Sequence, residues 1–496
     1  VIESAPGTAT DATVAGGPAM FDVVIIGAGL SGIGAACRLK TLCPGTSFVL
    51  LEGRPASGGT WDLFRYPGIR SDSDMFTLGY PFNPWSDARS IADGPSILRY
   101  IRQTASEYGI DPHIRYGQKV ISARWCSVDA RWSLECEGGT TYGCRFLYMC
   151  SGYYSYDGGY TPTFPNADSF TGKVVHPQQW PEDIDYTDKR VVVIGSGATA
   201  VTLVPALAEK AAHVTMLQRS PSYVASLPAV DPVSAVMGRI LPRPLNQRLS
   251  RWKNIVMSTG FYQFCRRRPA AARKMLASGV AGQLPSGYPV EVDFNPAYDP
   301  WDQRMCMVPD GDLFKAISSD KASIITGVID RFTDSGIRLV DGRELPADII
   351  VSATGLTLVA CGGVSLQVDG VTVTPGETVM YRGCMLSDVP NFATCLGYTN
   401  ASWTLRADLT SRYVCRVLNH MKKNGFTRAT PRYREPVFEA APLLDLTSGY
   451  VKRGSATLPK QGNAKPWRLR QNYLLDYVDF LRCDITESME FARPFQ

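Results

Sequence analysis

The chain is 496 residues long, 45% hydrophobic and 20% charged, which excludes collagenous, fibrous and disordered classes and, at roughly 150 residues per domain, leaves room for about three domains. Its 51 Lys and Arg against 46 Asp and Glu give a net charge of +5, too balanced for a nucleic-acid binder. No apolar run approaches the ~20 residues that cross a bilayer, and thirteen cysteines without a C-x-x-C pair read as reduced thiols of a cytoplasmic protein. Residues 1–19 are small and polar, lack the basic and apolar regions of a signal peptide, and are expected to be a disordered extension before Met20.

The first predicted element is a buried parallel strand, Val23 to Ile26, a continuous β-branched run. Gly27-x-Gly29-x-x-Gly32 follows at once and opens an Ala-rich helix, with Ser31 inside the turn. The first glycine permits the tight turn, the second lets a pyrophosphate approach the backbone, and the third lets helix pack on strand. The phosphates then face a helix N-terminus, whose free N–H groups favour negative charge. A second strand, Ser47 to Leu51, ends at Glu52, where a carboxylate can accept hydrogen bonds from both ribose hydroxyls.

The pattern recurs downstream. Val191 to Ile194 form a strand, Gly195-x-Gly197-x-x-Ala200 the turn, with Thr199 inside it, and alanine is a tolerated sixth residue. The following strand, His213 to Leu217, ends in Gln218-Arg219-Ser220 and not in an acid. A cation and a hydroxyl there suit the 2′-phosphate of NADP, though an ordinary surface arginine is the alternative for Arg219. Two turns with different ribose readers imply two nucleotides, and FAD with NADPH is the natural pair. Between Pro232 and Val290 lies a stretch with no acidic residue and apolar residues at helical spacing, expected to be a helical insertion. Its basic residues are either a solvated face or a patch for a phosphorylated cofactor or an anionic surface. The four histidines show no metal-ligand spacing, and G-x-S-x-G, H-E-x-x-H and Walker A patterns are absent.

Two further segments carry a resemblance. GGTWDLFRYPGIRSD, Gly58 to Asp72, fits G-G-x-W-x(4)-Y-P-G-x(3)-D. FTGKVVHPQQWP fits F-x-G-x-x-x-H-x-x-x-W-P through Phe170, Gly172, His176, Trp180 and Pro181. Together they are the fingerprints of Baeyer–Villiger monooxygenases within the class B flavoprotein monooxygenases, which this sequence resembles over residues 20–490. Related flavin-containing N- and S-oxygenases carry Tyr or Phe where Trp180 stands. The segments PWDQRMCMVPDGDLFKAI, ADIIVSATGL, GYTNASWTLRADL and PKQGNAKPWRLRQNYL look like the mycobacterial ethionamide-activating subgroup.

The resemblance implies an α/β protein with two doubly wound dinucleotide-binding domains. An FAD-binding domain is expected at 20–150 and 386–490, an NADP-binding domain at 151–221 and 331–385, and a helical insertion carrying the catalytic-arginine loop at 222–330. It also implies the reaction: NADPH reduces FAD, O2 adds to give a C4a-peroxyflavin, and one oxygen atom enters next to a ketone carbonyl to give an ester or lactone. Small apolar ketones and organic sulfides are the expected substrates, with a heteroatom oxygenase as the alternative. Arg304 matches the catalytic arginine, since a buried peroxide anion requires a fixed positive charge and only arginine keeps its proton there. Asp72 matches the carboxylate that positions it, although a carboxylate after Y-P-G is also a common turn former. Thr60 and Trp61 match flavin contacts and the backbone of Val120 matches the adenine contact, with Trp61 equally suited to the core. His176 matches a residue of the linker between the nucleotide domains, so it is not assigned as a general base. Some relatives carry Lys before the catalytic arginine; here that residue is Gln303.

Overall fold

The four residues before Gly27 are fully buried because the strand they end, Ala19–Ile26, has neighbours on both sides. It runs parallel to Phe48–Leu51 on one edge and to Thr141–Met149 on the other. A strand covered on both faces must be apolar throughout, which is how this run reads. The computed structural model describes residues 18–435, 440–444 and 446–494; all but two residues of the extension expected at 1–19 lie outside the described residues.

Around this strand a nine-stranded mixed sheet forms, continuing through the antiparallel strands Arg131–Cys136 and Val120–Cys126. A second sheet of five parallel strands has Arg190–Ile194, the strand before Gly195, at its centre, flanked by His213–Gln218 and Ile349–Ser352. Each sheet thus holds one glycine turn at the end of an interior strand, and helices Leu30–Leu42 and Ala198–Ala208 follow the two turns directly. The α/β, doubly wound expectation therefore holds.

Two of the expected boundaries need correction. Ser365–Val368 and Val371–Val373, expected with the NADP-binding unit, are a hairpin on the edge of the first sheet, where Ser365–Val368 runs parallel to Val120–Cys126. Burial of Leu366 in the core that holds Trp125 and Trp132 accounts for the docking. Ala322–Thr326, expected inside the helical insertion, is an edge strand of the second sheet, because its alternate residues Ala322 and Ile324 complete that core. The insertion also contributes a short parallel pair, Val224–Leu227 with Cys306–Pro309.

The rest of the insertion is helical: Pro232–Ile240, Arg243–Arg267 and Pro269–Ala281, each with proline in its first turn, where the missing N–H costs nothing. Asp231 caps the first by accepting from the Ser234 amide at 3.0 Å. The long helix lies against the first domain through Ile255 and through Arg251, which donates to the carbonyls of Phe76 and Gly79. Among the described residues no helix is long and apolar enough to cross a membrane. All thirteen cysteines are free thiols.

Candidate active site

The first glycine turn is sterically obligatory. Gly27 has φ +100°, and a Cβ on Gly32 would sit 1.9 Å from the Gly27 carbonyl oxygen. Gly59, from the first family fingerprint, closes on Gly29, so that a Cβ there would lie 3.0 Å from the Gly29 Cα. Glu52 is buried behind the turn and accepts from the Ala28 amide at 2.7 Å and the Arg54 amide at 3.0 Å. Burial pushes its carboxyl above the usual range, against the pull of these two amides. Two residues before Val120, the Gln118 amide donates to the Glu52 carbonyl at 2.9 Å. Thr60 starts the short helix Thr60–Leu63 and bonds to the buried Tyr156, while Trp61 packs on the first core. The Ser31 hydroxyl accepts from the Trp403 indole at 2.7 Å.

At the second turn a Cβ on Gly195 would meet the Ala353 carbonyl at 2.5 Å, whereas one on Gly197 would meet nothing within 4 Å. The open side of Gly197 is where a bulky group can approach the backbone. Ala200 is fully buried against the strand, so it does the packing that the third glycine does in the first turn. Arg219 and Ser220 are exposed at the end of His213–Gln218, and Arg219 makes no ion pair among the described residues. The Ser196 hydroxyl donates to the Ser220 carbonyl at 2.8 Å, tying the turn to this strand end.

The first fingerprint joins the two turns. Its glycines pack on residue 29, and its Tyr66 is bonded to Thr199. Gly68, at φ +75°, lies so close to the second helix that a Cβ would sit 2.9 Å from the Thr202 carbonyl. Asp72 follows, between the two units. Burial pushes its carboxyl up, opposed by the charges of Arg304 and Arg70.

Arg304 faces Asp72 electrostatically, yet the two form no ion pair. Its Nη2 donates to the Tyr153 hydroxyl at 3.3 Å, and its Nε is buried without a partner. Tyr153, Tyr450 and Tyr154 lie around the guanidinium and, led by Tyr153, raise its pKa further, so it stays charged at any working pH. Tyr153 stacks on Trp403 with ring centroids 5.2 Å apart, and its hydroxyl is 3.1 Å from that of Tyr154. A continuous chain, Ser31–Trp403–Tyr153–Arg304, thus connects the first glycine turn to the arginine. Beside it lies a small, partly open cleft with apolar walls that include Leu396, Leu443 and Leu458. The insertion helices hold the arginine loop from behind: Arg266 pairs with Asp302 at 2.6 Å, Arg273 pairs with Asp299, and Tyr262 packs edge-on against Trp301.

Reading of the sequence missed Tyr153, Tyr154, Trp403 and Tyr450. The signal for the first two was available: S-G-Y-Y follows the strand Thr141–Met149, and ligands of open α/β sheets bind outside the carboxyl ends of strands. Trp403 lies in the segment GYTNASWTLRADL, which carried the resemblance but gave no sign of contact with the arginine's surroundings, and Tyr450 comes from a distant segment with no local signature.

The second fingerprint lies away from this cleft, on the connections between the units. His176 Nδ1 accepts from the Gln178 amide at 3.1 Å, and Nε2 is 3.3 Å from the Gly355 carbonyl, which fixes the proton on Nε2. Burial lowers its pKa, so the ring is neutral. Gln178 donates to the Ser155 carbonyl at 2.7 Å, so the motif grips both crossing segments, 155–160 and 353–357. Phe170 packs edge-on against Phe332, Trp180 against Tyr186, and a Cβ on Gly172 would meet the Asp348 carbonyl at 2.4 Å. Pro181 is partly exposed beyond them. The remaining histidines have ordinary partners, such as Phe48 against His113 and Ser323 with His213.

Residues 24–243 match the pyridine nucleotide-disulphide oxidoreductase family. The FAD-containing monooxygenase EthA of Mycolicibacterium smegmatis is 52% identical over 479 residues, covering 95% of this chain and 97% of that protein. EthA of Mycobacterium tuberculosis is 52% identical over 478 residues, covering 95% and 98%. Among solved structures, an oxidized steroid monooxygenase bound to NADP superposes with a TM-score of 0.73 at 21% identity, covering 96% of this chain and all of that one. That likeness extends the fold assignment to nearly the whole chain. With relatives of this identity along almost its full length, the chain belongs to the family of FAD-containing monooxygenases.

Proposed function

We propose that this protein is an FAD- and NADPH-dependent Baeyer–Villiger monooxygenase. It inserts one oxygen atom of O2 beside the carbonyl of a small apolar ketone and, with the same site, sulfoxidises organic sulfides. The observation that carries the reading is Arg304, a permanently charged group half enclosed by three tyrosines at the meeting of the two nucleotide units. The residues present fit the two nucleotides. The cradle formed by Gly27, Gly29 and Gly59 admits no side chain, Glu52 is an acceptor at the ribose position, and the backbone at Gly197 is open to a pyrophosphate. Arg219 and Ser220 read the 2′-phosphate. On this assignment the nine-stranded sheet holds FAD and the five-stranded sheet holds NADPH.

Bound FAD, once reduced by NADPH, supplies the activation of O2. The chain's own work is then electrostatic and steric. Arg304 holds a positive charge where negative charge develops on oxygen, and its burial among Tyr153, Tyr154 and Tyr450 strengthens the interaction. Tyr153 orients the guanidinium, and the Nε–H is left free to donate. Asp72 adds a carboxylate near enough to hold the arginine toward the junction. His176, neutral and bonded to both connections, couples the two units without touching substrate. The test is NADPH oxidation against a linear ketone, an aryl-alkyl ketone and an organic sulfide, with products identified. Ester from the ketones supports the reading, and sulfoxide alone, with ketones untouched, replaces it with a heteroatom oxygenase.

A further inference from the structure

The stretch from Pro232 to Val290 contains ten Lys or Arg and no Asp or Glu. Part of that charge holds the insertion in place: Arg251 caps carbonyls, and Lys253, Arg266 and Arg273 pair with Asp231, Asp302 and Asp299. Arg239, Arg243 and Arg248 do none of this. They are exposed and make no ion pair among the described residues.

Beside these arginines the helices are turned inside out. On Pro232–Ile240 the residues at i, i+3 and i+7 are Val233, Val236 and Ile240, one stripe by helical spacing, and all are exposed, Ile240 by 77% and Val236 by 54%. On Arg243–Arg267, Leu245, Leu249 and Val256 fall at i, i+4 and i+11, again one stripe and again exposed. The buried residues of these two helices are Ser234, Ser250, Ile255 and Cys265, so up to residue 250, beside the arginines, only serines are buried. A helix bathed in water turns its aliphatic stripe to the core and its serines outward. The two helices adjoin, with the Asn246 amide donating to the Ser234 carbonyl at 3.2 Å, so the stripes belong to one region and are not scattered singly.

We propose that this helix pair docks on an anionic lipid bilayer, lying in the interfacial plane with Ile240, Leu245 and their neighbours at the acyl boundary and Arg239, Arg243 and Arg248 among the headgroups. Aliphatic stripes next to unpaired cations in an acid-free segment are what such a surface requires. A second copy of the chain fits worse. A twofold contact through this face would set the same arginines against one another, with no acid in the segment to pair them.

The test is co-sedimentation of the FAD-loaded enzyme with vesicles of phosphatidylglycerol and phosphatidylcholine in equal parts, compared with phosphatidylcholine alone. Binding to the anionic vesicles is expected to be the stronger and to weaken with salt. Arg239→Glu, Arg243→Glu and Arg248→Glu combined should reduce it roughly a hundredfold or more. Val236→Asp with Ile240→Asp should reduce it at least about tenfold by removing apolar burial. Both variants should oxidise NADPH at the unaltered rate without vesicles, which shows that they fold. Absence of binding to anionic vesicles, or binding that either variant leaves unchanged, overturns the proposal. A dimer in solution that Ile240→Asp dissociates, with no vesicle binding, overturns it in favour of a second copy.

Discussion

Replacing Arg304 by alanine separates what the arginine does from what the nucleotide turns do. The side chain is bonded to one protein group, the Tyr153 hydroxyl at a long 3.3 Å, and its Nε has no partner, so little stability rests on it. The variant should fold, retain FAD and still be reduced by NADPH, because neither glycine turn contacts the guanidinium. Oxygenation is another matter. Losing one preorganised charge at a centre of developing negative charge costs about 3–4 kcal/mol, a loss of two to three orders of magnitude in ester formation. Removing the guanidinium also takes away a charge that restrains the Asp72 carboxyl, which burial already pushes up, so that group protonates more readily. Tyr153→Phe removes the long hydrogen bond to the cation together with the contact to the Tyr154 hydroxyl and should cost about threefold to tenfold. Lysine at 304 should rescue poorly, since a single ammonium cannot face both Tyr153 and the cleft. The assay is stopped-flow: anaerobic reduction by NADPH first, then mixing with oxygen and ketone and analysis of products. Full ester yield in Arg304→Ala removes the residue from the mechanism; loss of flavin reduction reassigns it to NADPH binding.

Three other outcomes follow from the same geometry. Arg219→Ala should weaken NADPH binding roughly ten- to a hundredfold and leave NADH nearly unaffected, since among the described residues no acid pairs with that guanidinium; equal losses in a paired titration would refute the 2′-phosphate assignment. Glu52→Ala removes the acceptor of the Ala28 and Arg54 amides and should yield folded protein depleted in flavin, read from the absorbance ratio on purification; full flavin content would contradict it. Because burial holds the His176 pKa below the ordinary value of about 6.5, the unfolded chain binds the proton more readily. Its contribution to stability is therefore complete above that value and fades as pH falls through it, so wild type should lose more Tm than His176→Gln between neutral and mildly acidic pH. Parallel losses in the two proteins would argue against it.

Legibility in the sequence followed the range of the interactions. Both glycine turns could be read because the glycine spacing itself is local: Gly32 packs on Gly27 five residues earlier, although Gly27 and Gly195 also pack on distant strand ends at Cys150 and Ala353. The hairpin 365–373 has a local turn signal in Asp-Gly, which the sequence reading passed over. Asp369 and Gly370 both have positive φ, as a tight two-residue connection demands. Which sheet it joins was not legible, because that depends on Leu366 finding the Trp125–Trp132 core some 240 residues earlier in the chain. The same limit hid the arginine's surroundings. The family resemblance implied Asp72 as its partner, but the hydrogen bond goes to Tyr153, which reaches the site from the end of a first-sheet strand and is held there by Trp403.

The central claim is that this chain transfers one atom of O2 to a ketone, and isotopic oxygen tests it directly. Wild-type enzyme, NADPH, ¹⁸O₂ and an aryl-alkyl ketone should give an ester whose new ring- or chain-inserted oxygen is labelled and whose carbonyl oxygen is not, with one NADPH consumed per ester. NADPH consumption that yields only labelled hydrogen peroxide, or an ester whose inserted oxygen comes from water, would contradict the account.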